Sequence, residues 1–246
     1  MLRKKYRDQS GLFLLEGTKT LRDAAAEGAA IERVFLDAEK YNELSENDGL
    51  IAQLDGKICV LDKKLYAQLS DTETSQGMIF SVRKPQPPRD LKTEVADGNL
   101  VVLDRLQDPG NIGTIIRTAE AAGYKGIIAI KGTADLYSPK AARAAAGSLL
   151  RMPVLTCDGA QRAAELLHEL GKKITVTCLG DAANCFETDL TKDVALVVGN
   201  EGQGVSQDFM DLADIRVTIP MNGQIESLNA AVAAGILMYQ SVGGNI

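Results

Sequence analysis

The sequence predicts an α/β protein in which a small α/β domain precedes an open parallel sheet, and three observations carry that reading. From Leu100 onward, apolar runs alternate with capped helical patterns, the pattern of a parallel sheet covered on both faces. Before that point stand short runs that look like strands, separated by helical patterns. Between the two, "RKPQPPRDLKTEVADG" at 83–98 holds three of the seven prolines and little apolar periodicity, so it reads as a linker. The expected division is therefore 1–88 for a recognition domain, 89–98 for the linker and 99–246 for the larger domain.

In the front domain, "GLFLLEG", "IERVFLD", "KICVLD" and "GMIFSVRK" are expected strands, with helices over 18–27 and 63–69. The segment lacks an acid/base cluster, which favours recognition over chemistry. In the rear domain "LVVLD" is a buried strand and "RLQDPGN" a loop, after which Asn111 is placed to cap a helix ending at Gly123. "GIIAI" is the next strand. Ser138 and Pro139 suit a helix cap and first helical position, and that helix is expected to run on through "KAARAAAGSLL". "RMPVLTC" follows, Asp158 is read as the cap of a helix reaching Leu170, and "KITVTCL", "VALVVGN" and "IRVTIPM" complete six parallel strands. A short helix in "SQDFMDLAD" and a closing helix over 226–240 complete the pattern. In such open sheets ligands bind at the carboxyl ends of the strands.

With 246 residues, 45% hydrophobic and 24% charged, the chain can bury a core. Its longest apolar run falls short of the roughly 18 residues of a membrane span and the first residues lack a signal-peptide pattern, so a cytoplasmic protein is expected. Cys59, Cys157, Cys178 and Cys185 are scattered, which points to thiols rather than disulfides or a metal site. The single histidine, His168, falls in an amphipathic helix beside Leu166, Leu167 and Leu170 and is read as a packing residue, which disfavours serine and cysteine hydrolase chemistry. Net charge is −6, against a nucleic-acid partner at first sight. Charge is uneven, however: Arg3, Lys4, Lys5 and Arg7 form a basic arm without an acid, and 105–151 carries seven bases against three acids.

Three loops at strand ends stand out: "LDRLQDPGNIGTIIR", "VVGNEGQGVS" and "IPMNGQIESLNAAVA". Each follows a buried strand and opens a helix. Gly199, Gly202 and Gly204 let backbone approach a ligand, yet their spacing is not that of the dinucleotide fingerprint and no Gly-Lys-Ser/Thr phosphate loop exists.

In order and spacing these loops closely resemble the motifs of the SpoU (TrmH) family of RNA 2'-O-ribose methyltransferases: Asn111-x-Gly113-x-x-x-Arg117, then Gly199-Asn200-Glu201-Gly202, then Ser227-Leu228-Asn229 after Ile219-Pro220-Met221. The front domain resembles that family's substrate-binding module through "FLLEGTKTLRDA" and "TSQGMIFSV". The resemblance implies an open parallel sheet whose end forms a trefoil knot (SPOUT-type), S-adenosylmethionine as cofactor, RNA as substrate, ribosomal or else transfer RNA with the front module leaning toward the ribosomal, and a homodimer through the knot region. It implies neither a metal nor a membrane.

Methyl transfer from a sulfonium needs an aligned oxygen nucleophile, activation of a weakly acidic ribose hydroxyl and restraint of both substrates. The resemblance assigns this work to Asn111, Arg117, Glu201, Ser227 and Asn229. For Arg117, electrostatic stabilisation is preferred over a base because a guanidinium stays protonated; the plain alternative is a surface ion pair with Glu120 or Asp108. Asn111 reads both as cap and as orienting amide, and Ser227 and Asn229 as caps of the last helix or as contacts to RNA or cofactor. Gly199, Ile219 and Leu228 are placed around adenosine, with Met221 and Leu179 as neighbours. Asn200, where some relatives carry Ala, and Glu226 in Gly223-Gln224-Ile225-Glu226 depart from the family pattern. Two competing readings remain: a catalytically silent RNA-binding ribosome-assembly factor, and an α/β enzyme using another adenosine cofactor.

Overall fold

The computed structural model describes residues 1–47, 49–54, 56–70, 75–87, 95, 97–178, 180, 182–222 and 227–242. Most of the expected linker, the cofactor neighbour Leu179 and the 223–226 segment lie outside the described residues.

The front part is a four-stranded sheet of β1 (Leu12–Glu16), β2 (Ile31–Asp37), β3 (Ile58–Leu61) and β4 (Met78–Arg83) in the order β1-β4-β2-β3. β4 runs antiparallel to both neighbours and β2 parallel to β3. Around it lie α1 (Lys4–Ser10), α2 (Thr18–Ala26), α3 (Ala38–Asn47), α4 (Leu50–Gln53) and α5 (Lys63–Leu69). α1, α3 and α4 were absent from the sequence expectation. The basic arm is thus a short helix, ended by Gly11 at φ 66°.

The rear part is an all-parallel sheet of β5 (Leu100–Asp104), β6 (Gly126–Ile130), β7 (Val154–Cys157), β8 (Lys173–Thr177), β9 (Ala183–Asn184), β10 (Val194–Gly199) and β11 (Ile215–Thr218). Its order is β7-β6-β5-β10-β8-β11-β9, seven strands rather than six because the two-residue β9 extends one edge. β5 and β10 are buried along their whole length, as continuous apolar runs require. α6 (Pro109–Ala121), α7 (Pro139–Ala145) and α10 (Ala230–Val242) share the face that carries the main core, whereas α8 (Ala160–Glu169) and α9 (Gln207–Asp211) cover the other.

Several local expectations are corrected. α6 starts at Pro109 with Asp108 as its cap, accepting from Gly110 N at 2.8 Å, because proline suits the first helical position. Asn111 therefore stands inside the first turn, its side chain released from capping. α8 is preceded by Gly159, not capped by Asp158. α7 stops at Ala145: Ala146 takes a left-handed conformation and a separate 3₁₀ turn, Ser148–Leu150, follows. His168 is not a packing residue: it lies half-exposed with Nε2 3.2 Å from Asp214 Oδ2. Cys157 and Cys185 are buried thiols, and burial raises the pKa of both.

The core is continuous from front to rear. Phe13, Leu15, Leu36 and Phe80 belong to the same buried cluster as Leu103, Ile112, Ile116 and Ala142. α7 packs on β1, and Phe13 meets Tyr137 edge-on at 5.0 Å. Burial, then the charge of Asp135, push the Tyr137 hydroxyl up to about 12. Arg151 completes the seam, donating to Glu27 at 2.9 Å and pairing with Glu120.

Candidate active site

Successive strands leave β5 toward one edge through β6 and β7, while β10 leads toward the other through β11. The strand order thus reverses between β5 and β10, and their carboxyl ends open a crevice of the kind in which α/β sheets bind ligands. Gly199 lies opposite Asp104 at that point. Two loops diverge there, 105–108 toward α6 and 200–206 toward α9.

Asp104, 1% exposed, ties them together: its Oδ2 accepts from Ser206 N at 2.7 Å and its Oδ1 from Arg105 Nε at 3.1 Å. Arg105 sits at φ 59°, and its carbonyl accepts from Asn200 Nδ2 at 3.0 Å. Asn200 Oδ1 in turn accepts from Gly202 N and Gln203 N at 3.0 Å, closing the tight turn. The asparagine that departs from some relatives is therefore a stitch between loops, which an alanine lacks the groups to make. On Gly199 a Cβ would lie 2.2 Å from Gly204 C and Val205 N, so only glycine lets the turn fold back against the strand.

Glu201 reaches across the crevice. Its carboxylate accepts from Gln107 N and Asp108 N at 3.0 Å and from Asn111 Nδ2 at 3.1 Å. Although burial works to raise it, these donors together hold the Glu201 carboxyl below its ordinary value. Asn111 Oδ1 accepts from Asn229 Nδ2 at 3.0 Å, while Asn229 Oδ1 accepts from Ala231 N and Val232 N and so caps α10. One hydrogen-bonded chain, Glu201–Asn111–Asn229, thereby joins the three loops.

Beside this chain is a cavity of about 690 Å³, in the range of small-molecule sites. Val198, Gly199, Val205, Ile219, Met221, Leu228 and Leu237 supply apolar walls, and Asn200, Glu201, Ser227 and Asn229 a polar end. Apolar walls, a backbone cradle without room for a side chain and a polar end suit a nucleoside carrying a charged tail, so these residues fit S-adenosylmethionine.

The structure thus brings together Asn111, Glu201, Ser227, Asn229, Gly199, Ile219, Met221 and Leu228. It does not bring Arg117 into the cavity. Arg117 lies on the exposed stripe of α6 with Thr114 and Ala121, and it makes no hydrogen bond or ion pair among the described residues. The partners of the plain alternative are engaged elsewhere: Asp108 with Lys140 at 2.8 Å and Glu120 with Arg151. Sequence reasoning missed Asp104, the Gln107 and Asp108 amides, and Thr177 and Cys178 on the cavity wall. The signal available for the last two was their position at the carboxyl end of β8. Among the described residues no group of His, Cys, Asp and Glu could hold a metal ion, and no helix is long and apolar enough to cross a membrane.

Residues 98–239 match the family model described as SpoU rRNA methylase, and residues 1–79 match an MRM3-like substrate binding domain. The chain is 32% identical over 236 residues to the 23S rRNA (guanosine(2553)-2'-O)-methyltransferase RlmP of Bacillus subtilis, covering 96% of this chain and 90% of the relative. It is 30% identical over 241 residues to the 23S rRNA (uridine(2479)-2'-O)-methyltransferase of Streptomyces viridochromogenes, covering 96% and 84%. The crystal structure of an AdoMet-bound rRNA methyltransferase from Sinorhizobium meliloti superposes with a TM-score of 0.86 at 27% identity, over 100% of this chain and 92% of the other.

Proposed function

Because the chain belongs to the SpoU rRNA methylase family, we propose that it transfers a methyl group from S-adenosylmethionine to the ribose 2'-hydroxyl of one nucleotide in large-subunit ribosomal RNA. The observation that carries this is the chain Glu201–Asn111–Asn229 closing one end of the 690 Å³ cavity. It gives a cofactor site and a polar edge where a ribose can enter.

When bound, the sulfonium supplies an electrophilic methyl group. The chain's residues do the rest. Gly199, Ile219 and Leu228 hold the adenosine, with Met221 beside them. Asn111 and Asn229, each locked by the other, fix the edge against which the ribose lies, and the Ser227 hydroxyl on the rim contacts RNA or the cofactor's carboxylate end. Arg117, exposed on α6 outside the cavity, meets the RNA rather than the cofactor: it grips the phosphate beside the target nucleotide and, brought to the ribose by that grip, stabilises negative charge growing on the 2'-oxygen while the hydroxyl proton leaves to water. Glu201, already accepting three donors as a carboxylate, positions the loops and takes no proton.

The same reading makes the front part an RNA-recognition module and retains the knot expected at the carboxyl-terminal segment. It also makes the protein a cytoplasmic homodimer. Leu228, Val232 and Tyr239, 38%, 53% and 52% exposed, give the start and outer side of α10 an apolar surface that a second copy can cover. Light scattering should then return twice the chain mass.

Labelled S-adenosylmethionine incubated with total RNA from cells lacking this protein, followed by digestion to nucleosides and mass identification, tests the reaction. Label in a 2'-O-methyl nucleoside is expected and names the base. Absence of both transfer and cofactor binding overturns the proposal.

A further inference from the structure

The two basic segments of this acidic chain lie far apart in sequence, and Arg7 brings them together. Its side chain is 4% exposed, pairs with Asp135 on the loop between β6 and α7, and donates from Nε to that carboxylate at 3.0 Å. Its Nη1 also donates to the carbonyls of Met1 and Leu2 at 2.7 and 2.8 Å, folding the first residues back on α1. Lys84 reinforces the seam, pairing with Asp8 at 3.1 Å and standing 5.0 Å over the Tyr137 ring. A buried, fully engaged arginine fixes the arm in one place, because leaving it unpaired there is costly.

The loop that receives Arg7 is itself bonded to the catalytic loop. Thr133 Oγ1 donates to Leu103 O at 2.9 Å, Ala134 N to Leu106 O at 2.8 Å, and Gln107 Nε2 to Gly132 O at 2.8 Å. The next residues, Gln107 and Asp108, are those whose amides hold Glu201. Two rigid steps thus separate α1 from the crevice. Lys131 on this loop is 75% exposed and stands 3.7 Å from Asp158, and Lys140 in the first turn of α7 is 60% exposed and pairs with Asp108 at 2.8 Å. These are surface pairs that a phosphate can replace, while Arg3, Lys4, Lys5 and Tyr6 are exposed on the arm.

We propose that Arg3, Lys4 and Lys5, held by the Arg7–Asp135 pair, form with Lys131 and Lys140 a phosphate track that grips the RNA strand flanking the target nucleotide. This rests on the RNA methyltransferase reading above and adds to it the surface that carries the substrate's backbone. Three adjacent exposed cations suit phosphates, and exposed Tyr6 beside them offers a face for an unpaired base.

The test compares wild type with an R3Q/K4Q/K5Q variant, whose changes are all at the surface, on ribosomal RNA as substrate. Expected are an RNA KM raised about ten- to a hundred-fold, kcat and S-adenosylmethionine affinity within about two-fold of wild type, and a log-affinity against log-salt slope flatter by about 2 to 3. Asp135→Asn is the second variant. It removes a negative charge, so charge alone predicts equal or tighter RNA binding, whereas loss of the arm's anchor predicts weaker binding at unchanged cofactor affinity. Unchanged KM and salt slope in the triple variant, with an active wild type, overturn this inference alone. A wild type that binds cofactor but neither binds nor methylates ribosomal RNA overturns it together with the reading it rests on.

Discussion

At Glu201 both carboxylate oxygens are taken up by donors from the neighbouring loop, so changing this side chain removes acceptors rather than a base. Glu201→Gln turns an amide toward an N–H and should cost about 1 kcal/mol, read as a lower denaturation midpoint with a raised KM for both substrates. The folded carboxyl titrates below its ordinary 4.5, so its contribution is fully present above that value and is lost as pH falls through the folded pKa. Melting curves of wild type and variant should accordingly differ near neutral pH and converge in acid. Arg117→Ala should lower kcat by about 10²- to 10³-fold with cofactor affinity kept, and Arg117→Lys, which keeps charge without the planar fork, should fall between. The meeting of Asn111, Glu201 and Asn229 was legible because each sits in a glycine-flanked or capping position, whereas Arg117, inside α6, and Ser227 carry no such mark. The role of Asn111 was half legible: Asp108 and Pro109 start α6 earlier than a capping asparagine would, so all of its amide serves the site. The amides of Gln107 and Asp108 were not legible, since a main-chain donor leaves no mark on residue type.

Helix α6 is bound to its neighbour by absence of a side chain. A Cβ on Gly113 would lie 2.3 Å from Ala141 O and 2.8 Å from Ala145 N, backbone atoms of α7 that cannot swing aside. Gly113→Ala should therefore force the two helices apart at a cost of about 1 to 3 kcal/mol, measurable as a reduced urea midpoint. Gly199→Ala meets backbone of the 200–206 turn instead and should abolish S-adenosylmethionine binding by calorimetry while circular dichroism stays native. Strands β5, β6 and β10 were legible as unbroken apolar runs, and the Ser138–Pro139 start of α7 from its cap. β9 is too short for any periodicity. α1 escaped detection because its one buried side chain is an arginine, which no apolar pattern reports.

Across the whole molecule, the shared core and the Arg7, Lys84 and Arg151 contacts make front and rear one packed body. Unfolding should be a single transition, with calorimetric and van't Hoff enthalpies in agreement; two resolved transitions would show that the parts melt separately. The proline-rich stretch at 83–98 marks a change of composition, yet it carries no information on how tightly β1 packs against α7, because that contact joins residues more than a hundred positions apart. The same separation sets a clock during synthesis. Arg7 leaves the ribosome 128 residues before Asp135, a wait on the order of ten seconds at ordinary elongation rates. For that interval the nascent chain offers its cations without their anchor, so a growing polypeptide cannot yet present the arm in its working position.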